Sequence, residues 1–306
     1  MRKLFMIFVS LIIALSCVGR VELPQYDNPP HLDGHDKEDT QLPEQGGGNE
    51  GSKEVTLRLC SYNVGIFSKS KSTLGHYSYQ EAAVLINEIG ADIVGLNETD
   101  KANKRTENHY QAEELAKRLG KGWTYYFANA HNIAYGNSIV ASPDFKVVKE
   151  WPRLLIPQDA VQGPVGETRS MGAVEYEDFV FCVTHLDHIS IDARKKGVEL
   201  ITAWALENYG KGKTDKPVFL VGDMNCIATE VTITDFKKNW TLLSARENTF
   251  PSEKPAKCID YIFVLNNGVK FKPGESHAVS SSKVTDVSTV SDHCPIYCDI
   301  TFSAKN

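Results

Sequence analysis

Pro217-Val-Phe-Leu-Val-Gly-Asp-Met-Asn225 holds a short apolar run, Val218 to Val221, closed on one side by Pro217 and on the other by Gly222. A run of this length without polar alternation predicts a strand buried on both faces. Gly222 permits a sharp turn, after which a carboxylate and an amide, Asp223 and Asn225, stand one residue apart. Asp and Asn are favoured at turns for conformational reasons alone. A rigid strand end is also where a sheet holds loop side chains in fixed geometry. Four other stretches end in the same way, and together they tip the reading towards chemistry.

Val55-Thr-Leu-Arg-Leu-Cys-Ser-Tyr-Asn63 alternates as a half-buried strand should and ends in Asn63. Asp92-Ile-Val-Gly-Leu96 reads as a buried strand and runs into Asn97-Glu98-Thr99. A hairpin over Met171–Tyr176 and Phe179–Thr184, turning at Glu177-Asp178, delivers Thr184-His-Leu-Asp-His188. There His185 and Asp187 share one side of an extended chain, because side chains repeat with period two. Cys258-Ile-Asp-Tyr-Ile-Phe-Val264 is a buried strand carrying one acid, Asp260, which needs a cationic or donor partner. Asp292 and His293 stand immediately before the last strand.

Between these strands the sequence predicts helices. Ser78-Tyr-Gln-Glu81 has the form of a capping box, followed by Ala82, Leu85, Ile86 and Ile89 at helical spacing and closed by Gly90. A second amphipathic helix spans 108–119. A third spans about 192–209, with Arg194 in its first turn and Val198, Ile201 and Ala205 facing inward. Strands are expected over 123–128 and 136–142, with Asn137 at the start of the latter. The Pro- and Gly-rich region 151–169 is expected to run over the surface near a substrate, where Arg169 either reaches a phosphate or stays solvated. The segment from Asn225 to Ser252 reads as polar connection.

The amino terminus carries Arg2 and Lys3, then an apolar run from Leu4 to Leu15, the shape of a secretory signal and short for a bilayer span. It ends Ala14-Leu15-Ser16-Cys17, which resembles a bacterial lipobox with Ala14 where Leu is more usual. Cleavage before Cys17 would leave it free to carry lipid and anchor an exported protein at the cell envelope; the alternative is a plain secreted protein. From Val18 to about Gly51 the chain lacks apolar periodicity and predicts a flexible acidic tether. Residues 1–50 hold 4 Lys and Arg against 8 Asp and Glu, so much of the net charge of −6 lies there. The remaining 29 basic and 31 acidic residues leave 52–306 nearly neutral, without the basic footprint of a dedicated nucleic-acid binder. That length suits one large α/β domain.

In order, spacing and strand-end context, Asn63, Glu98, His185, Asp223 with Asn225, Asp260, and Asp292 with His293 resemble the endonuclease/exonuclease/phosphatase superfamily. The most specific pieces are Val221-Gly-Asp-Met-Asn225, Ile259-Asp-Tyr-Ile262 and Ser291-Asp-His293. The resemblance implies a four-layer α/β sandwich, two mixed β-sheets flanked by helices as in DNase I. It implies an exported phosphoesterase that uses Mg²⁺ or Mn²⁺, hard ions that prefer the oxygens of Glu98, Asn63 and Asp292. His293, oriented by Asp260, is expected as general base, with Asp223 orienting water and Asn225 and His185 donating to phosphoryl oxygens. Asp187 and Arg194 match the His-x-Asp-His segment of bacterial members and are expected as supports. Asn137 and Arg169 are further candidates for substrate or supporting contacts.

Two departures stand out. Gly65 occupies a position where some abasic-site nucleases carry an acid, which argues against a second metal there. Asn97 stands where Gln is usual. Cys60, Cys182 and Cys298 read as small buried hydrophobes, whereas Cys226 and Cys258 are expected to meet at the site rim as a disulfide. The expected substrate is a small-molecule, lipid or nucleic-acid phosphate ester, and the expected state a monomer. A DNase-like endonuclease and, behind it, a non-catalytic binding lipoprotein are the alternatives.

Overall fold

The structure, a computed structural model, describes residues 52–68, 77–157 and 166–305; the expected signal, Cys17 and tether lie outside them. Two mixed sheets pack face to face. In the first, with elements numbered in chain order, the strand order is β12 (Phe271–Ala278), β13 (Ile296–Lys305), β1 (Ser52–Asn63), β2 (Ile93–Asp100), β4 (Tyr135–Ala141) and β3 (Thr124–Asn132). In the second it is β10 (Trp240–Leu242), β11 (Asp260–Leu265), β9 (Val218–Asp223), β8 (Val180–His185), β7 (Arg169–Tyr176) and β5 (Val147–Glu150), with β6 (Leu154–Ile156) also on β7. β1·β2 and β8·β9 are parallel, and the other pairs antiparallel.

Helices α1 (Tyr79–Ile89) and α2 (Gln111–Leu119) cover the outer face of the first sheet, packing on Tyr62, Val94 and Leu96. Helices α3 (Ile191–Tyr209) and α4 (Val231–Phe236) cover the second, packing on Leu220 and Phe263. The layers are therefore helix, sheet, sheet, helix, as the resemblance implies. Val198, Ile201 and Ala205 of α3 face inward as the spacing predicts, and the Ser190 hydroxyl caps the helix by accepting from the Ala193 N–H at 3.1 Å.

Between the sheets lies an apolar layer that includes Leu57, Leu59, Ile93, Phe181, Val183, Phe219, Val221, Ile262 and Val264. Each Phe there contributes roughly 2–3 kcal/mol by leaving water. The positions of this layer also explain where the site falls. Continuing each strand by the period of two, the residues after Leu59, Ile93, Val183 and Val221 on the inner face reach Asn63, Asn97, His185 and Asp223, and Asp260 precedes Ile262. Register makes them neighbours: Asn63 lies opposite Asn97, and Asp223 opposite both His185 and Asp260. The inter-sheet layer thus changes from apolar to polar at one end.

Several elements differ from expectation. The segment between Asn225 and Ser252 is not plain connection but holds α4 and β10, whose Ile233, Phe236 and Trp240 are buried. The region 151–169 contributes the short β6, and β12 forms an edge strand with a register shift beyond Pro273. The capping box does not form. Ser78 precedes α1, but its hydroxyl lies 3.0 Å from the carbonyls of both Phe67 and Val290 and caps no helix N–H. β1 alternates only in its first half; from Leu59 onward it is buried on both faces, because it sits between β13 and β2 in the middle of its sheet.

Gly95 on β2 admits a close approach of the second sheet: a Cβ there would fall 2.2 Å from Val221 Cγ2 and 3.1 Å from Val183 Cγ2. Gly95→Ala is expected to destabilise the fold by about 3 kcal/mol through overpacking. In the Gly95→Ala/Val221→Ala double variant the new methyl enters the space the valine vacates. Denaturant unfolding of the four proteins should therefore give a coupling of at least about 1 kcal/mol in the favourable direction; strict additivity would mean the sheets part to admit the methyl.

Candidate active site

Asn97, buried at the end of β2, joins the two sheets. Its amide nitrogen donates to the Thr184 carbonyl at 2.8 Å and to Asn137 Oδ1 at 2.9 Å, and its Oδ1 accepts from the Asp223 N–H at 2.8 Å. Asn137 in turn donates to the Ser170 carbonyl at 3.0 Å. Asn137 therefore supports the joint and does not line the cleft.

One residue on, Glu98 takes a left-handed backbone, φ 57°, and the β2·β4 register shifts between Leu96 and Thr99. This bulge turns Glu98 out of the sheet into a cleft of about 650 Å³. Asn63 holds it there: Asn63 Nδ2 lies 3.1 Å from Glu98 Oε1 and 3.1 Å from Asp223 Oδ2, while Asn63 Oδ1 accepts from the Gly65 N–H. Gly65 is itself left-handed (φ 49°), and a Cβ there would face Asp292 Oδ1 at 3.5 Å.

On the other side of Asp223 stands His293. Its Nδ1 meets Asp260 Oδ2 at 2.9 Å, and its Nε2 lies 3.7 Å from Asp223 Oδ2. Asp260 is fully buried, as its strand predicts, and Oδ2 also accepts from the Thr249 hydroxyl at 2.5 Å. The Phe250 ring packs against His293, centroids 4.9 Å apart. Burial alone would lower the His293 pKa, but the Asp260 carboxylate and then Asp223 outweigh it and push it up to about 10. Burial first, and then the charge of Asp260, raises Asp223 to about 7 against the pull of His293. His293 is thus the cation of this group at neutral pH.

His185 Nε2 lies 2.8 Å from the Asn225 amide nitrogen and 3.4 Å from Asp223 Oδ2, and its Nδ1 faces Arg169 Nη1 at 3.2 Å. Burial and then the neighbouring Arg169 charge hold it well below the ordinary histidine value, so the ring is neutral. Because a guanidinium can only donate, Nδ1 accepts and the single proton sits on Nε2. Asn225, also left-handed (φ 51°), donates from its side chain to the Leu186 carbonyl at 3.0 Å and from its backbone to Asp223 Oδ1 at 2.8 Å. With the proton on Nε2, the 2.8 Å contact to the Asn225 amide nitrogen sets two donors against each other and is no hydrogen bond; an anionic oxygen seated between them beside Asp223 would accept from both.

A family model described as Endonuclease/Exonuclease/phosphatase family matches residues 60–293, which contain all of these groups. The chain belongs to that family. It is accordingly a hydrolytic enzyme of the phosphoesterase type. Among solved structures it is similar to the mannosyl-6-phosphatase of Bacteroides thetaiotaomicron VPI-5482, at 21% identity and a TM-score of 0.65 over 80% of this chain and 99% of that one. It is likewise similar to an endonuclease/exonuclease/phosphatase family protein from Bacteroides thetaiotaomicron, at 20% identity and a TM-score of 0.65 over 82% and 99%. ANGEL2, a 2',3'-cyclic phosphatase, shares 14% identity and a TM-score of 0.60 over 83% and 99%. At these identities the likeness is one of fold. No curated protein matches the chain.

Enzymes of the family are typically divalent-metal dependent. Two donor groups are available here. Glu98 and Asp292 line the cleft with hard carboxylate oxygens, and Asn63 adjoins Glu98. Asp223, Asp260 and His293 form a second cluster whose ligand atoms lie within 4.8 Å of one another. In that cluster His293 Nδ1 and Asp260 Oδ2 already bind each other, so it suits proton handling, and the oxygens of Glu98 and Asp292 suit the ion.

The remaining expected residues fall behind the site. Asp187, 3% exposed, accepts from the backbone N–H of Gly166, Glu167, Ile189 and Ser190 at 2.7–3.3 Å. Arg194 donates to the Asp187 carbonyl at 2.9 Å and pairs with Glu230 through two bonds of 2.8 and 2.9 Å. Neither reaches the reacting region. The expected Cys226–Cys258 disulfide is absent: both thiols are free and buried. Their segments do meet, but through the Tyr261 hydroxyl, which lies 3.0 Å from the Cys226 carbonyl and 2.7 Å from that of Cys258. Thr249, Phe250 and Glu230 went unread in the sequence because they lie in a segment without periodicity. His188 stood in a quoted motif without a role.

Asn97→Asp is nearly isosteric but sets a carboxylate against the Thr184 carbonyl and Asn137 Oδ1. It should cost about 3 kcal/mol or more in denaturant unfolding, whereas a surface-like loss below about 0.5 kcal/mol would show that Asn97 does not join the sheets. Asp187 generates a pH dependence. Burial would raise its pKa, but its backbone N–H donors outweigh that and lower it below 3.8. Its contribution to stability is therefore complete above the unfolded value and lost as pH falls through the lower folded value. Asp187→Asn should be destabilised at pH 7 and differ progressively less from wild type as pH drops below 4, which thermal melts across pH 2–7 would check.

Proposed function

We propose that the chain is a divalent-metal-dependent phosphomonoesterase acting on a small phosphorylated molecule. The observation that carries this reading is the continuous run Asp260–His293–Asp223–Asn63–Glu98 across the cleft floor. It sets an imidazolium, a carboxylate of raised pKa and an outward-facing metal-type carboxylate side by side. The likeness to a mannosyl-6-phosphatase and the near-neutral folded part favour a small monoester over a DNA strand.

Glu98 and Asp292, with Asn63 beside them, would hold Mg²⁺ or Mn²⁺, which when bound neutralises phosphoryl oxygens. Asp223 takes the proton from the attacking water, a role suited to a carboxyl raised to about 7. His293, held as imidazolium by Asp260, donates to a phosphoryl oxygen; Asn225 Nδ2 and His185 Nε2–H donate to others as charge develops. The water oxygen bonds to phosphorus as the ester P–O bond breaks, and the departing alkoxide takes up a proton from solvent water, giving the alcohol and inorganic phosphate; the proton on Asp223 is returned to solvent for the next turnover. Asp187, Arg194 and Asn137 act through the residues they position. The reading extends to location: residues 1–17 as an export signal with a lipidated Cys17 would put the enzyme at the cell envelope, supported by the sequence of that segment.

Phosphate release from a panel of sugar phosphates, a phosphodiester and plasmid DNA, with Mg²⁺ or EDTA, tests this. We expect activity on monoesters that EDTA abolishes. His293→Ala and Asp223→Asn should each lower kcat by about 10³-fold, and the double variant by little more than either alone, because the two act as a unit. Metal-independent turnover, or full activity in His293→Ala, would overturn the mechanism.

A further inference from the structure

Arg169, at the start of β7, is 5% exposed and lines the cleft. A guanidinium carries five N–H donors. Two of them are used on imidazoles: Nη1 on His185 Nδ1 at 3.2 Å and Nη2 on His188 Nδ1 at 3.1 Å. Nε is buried and has no partner among the described residues. The carboxylate near it is poorly engaged. Glu167 Oε2 stands 3.7 Å from Nη1, beyond hydrogen-bond reach, on a side chain 40% exposed. Asp187, next along, spends its oxygens on four backbone N–H groups. A buried cation without a hydrogen-bonded anion is costly, and such groups persist where a ligand completes them.

His188 adds a donor. Its Nδ1 accepts from Arg169, so its proton lies on Nε2, and the ring is exposed in the same cleft. This pair is separated from Asp223 and Asn225 by the His185 ring, whose two nitrogens face Arg169 on one side and Asn225 on the other. The pair therefore lies on the far side of the His185 ring from the phosphoryl group that His185 Nε2 and Asn225 address.

We propose that Arg169 and His188 form an anion subsite for a second anionic group, a phosphate or a carboxylate, carried by the substrate beside the phosphate ester that is cleaved. Arg169 and His188 are specificity residues in this scheme; a planar fork beside an imidazole N–H matches two oxygens of either group. The proposal rests on the phosphomonoesterase reading for its substrate but not for its ligand chemistry.

Two measurements on the full chain test it. In EDTA, isothermal titration with inorganic phosphate should show one anion bound, with Arg169→Gln weakening it at least about tenfold. His188→Gln, at an exposed position, serves as the second variant should Arg169→Gln not fold, and should weaken it about threefold or more. No detectable phosphate binding, or binding unchanged in both variants, overturns the subsite. With Mg²⁺, kcat/KM for glycerol 3-phosphate, 3-phosphoglycerate and propanediol 1,3-bisphosphate separates the sources: the wild type should prefer one bis-anion by at least about tenfold, mostly through KM, and Arg169→Gln should erase the preference. Preference for the carboxylate or for the bisphosphate identifies the group. Equal rates on all three, or a preference that survives Arg169→Gln, overturn the assignment. Failure to turn over any ester would refute the phosphomonoesterase reading alone, since the EDTA titration decides the subsite independently.

Discussion

Asn97 donates to a carbonyl of β8, accepts from an N–H of β9 and braces against Asn137 of β4, so one side chain fixes the two sheets against each other where their apolar layer ends. Dispersion and hydrophobic contact hold the sheets together elsewhere, but those forces are non-directional and tolerate sliding. Two hydrogen bonds across a buried seam do not. They set the stagger between β2 and β9, and with it the 3.1 Å contacts from Asn63 to Glu98 and to Asp223 that belong to different sheets. Site geometry is in this sense a by-product of sheet packing.

Charge in the seam is balanced by alternation. Asp223 and Asp260 are at most 2% exposed and lie opposite one another in register, an arrangement that two ionised carboxylates in a dry site would not tolerate. His293 between them carries the compensating proton. The cost of the cluster is lowered further by Thr249, Asn63 and the Asn225 N–H, which each donate to one of the carboxylates. One oxygen, Asp260 Oδ1, keeps no partner among the described residues. Polar groups are usually satisfied in a core, and those left short cluster where chemistry is done.

The fold was legible where a strand is buried on both faces or a helix has a stop. Pro217–Asn225, Asp92–Leu96 and the helix expected over about 192–209 all read correctly, because burial leaves an unambiguous apolar pattern. β10 and β12 were not legible: the first is three residues long, and the second is an exposed edge whose polar sequence carries no periodic signal. Within the site, residue types and strand ends were readable but partnerships across space were not. Asn97 looked like a mild substitution and proved to be the joint. Cys226 and Cys258 do approach, yet a tyrosine hydroxyl occupies the meeting point of their segments. His293 stands in a readable motif, whereas the two acids that raise its pKa come from β9 and β11, 70 and 33 residues away in sequence. A one-dimensional reading finds the groups; their protonation depends on neighbours that only the fold supplies.

Glu98 and Asn225 leave their strands through left-handed backbone, a conformation that costs a residue with a Cβ roughly 1–2 kcal/mol. Glycine would relax both positions and remove the very side chains that face the cleft. At these two residues the scaffold therefore carries its activity as a standing deficit in durability. A lineage selected only for heat tolerance would be free to replace these two, and would arrive at a sturdier sandwich that no longer works as an enzyme.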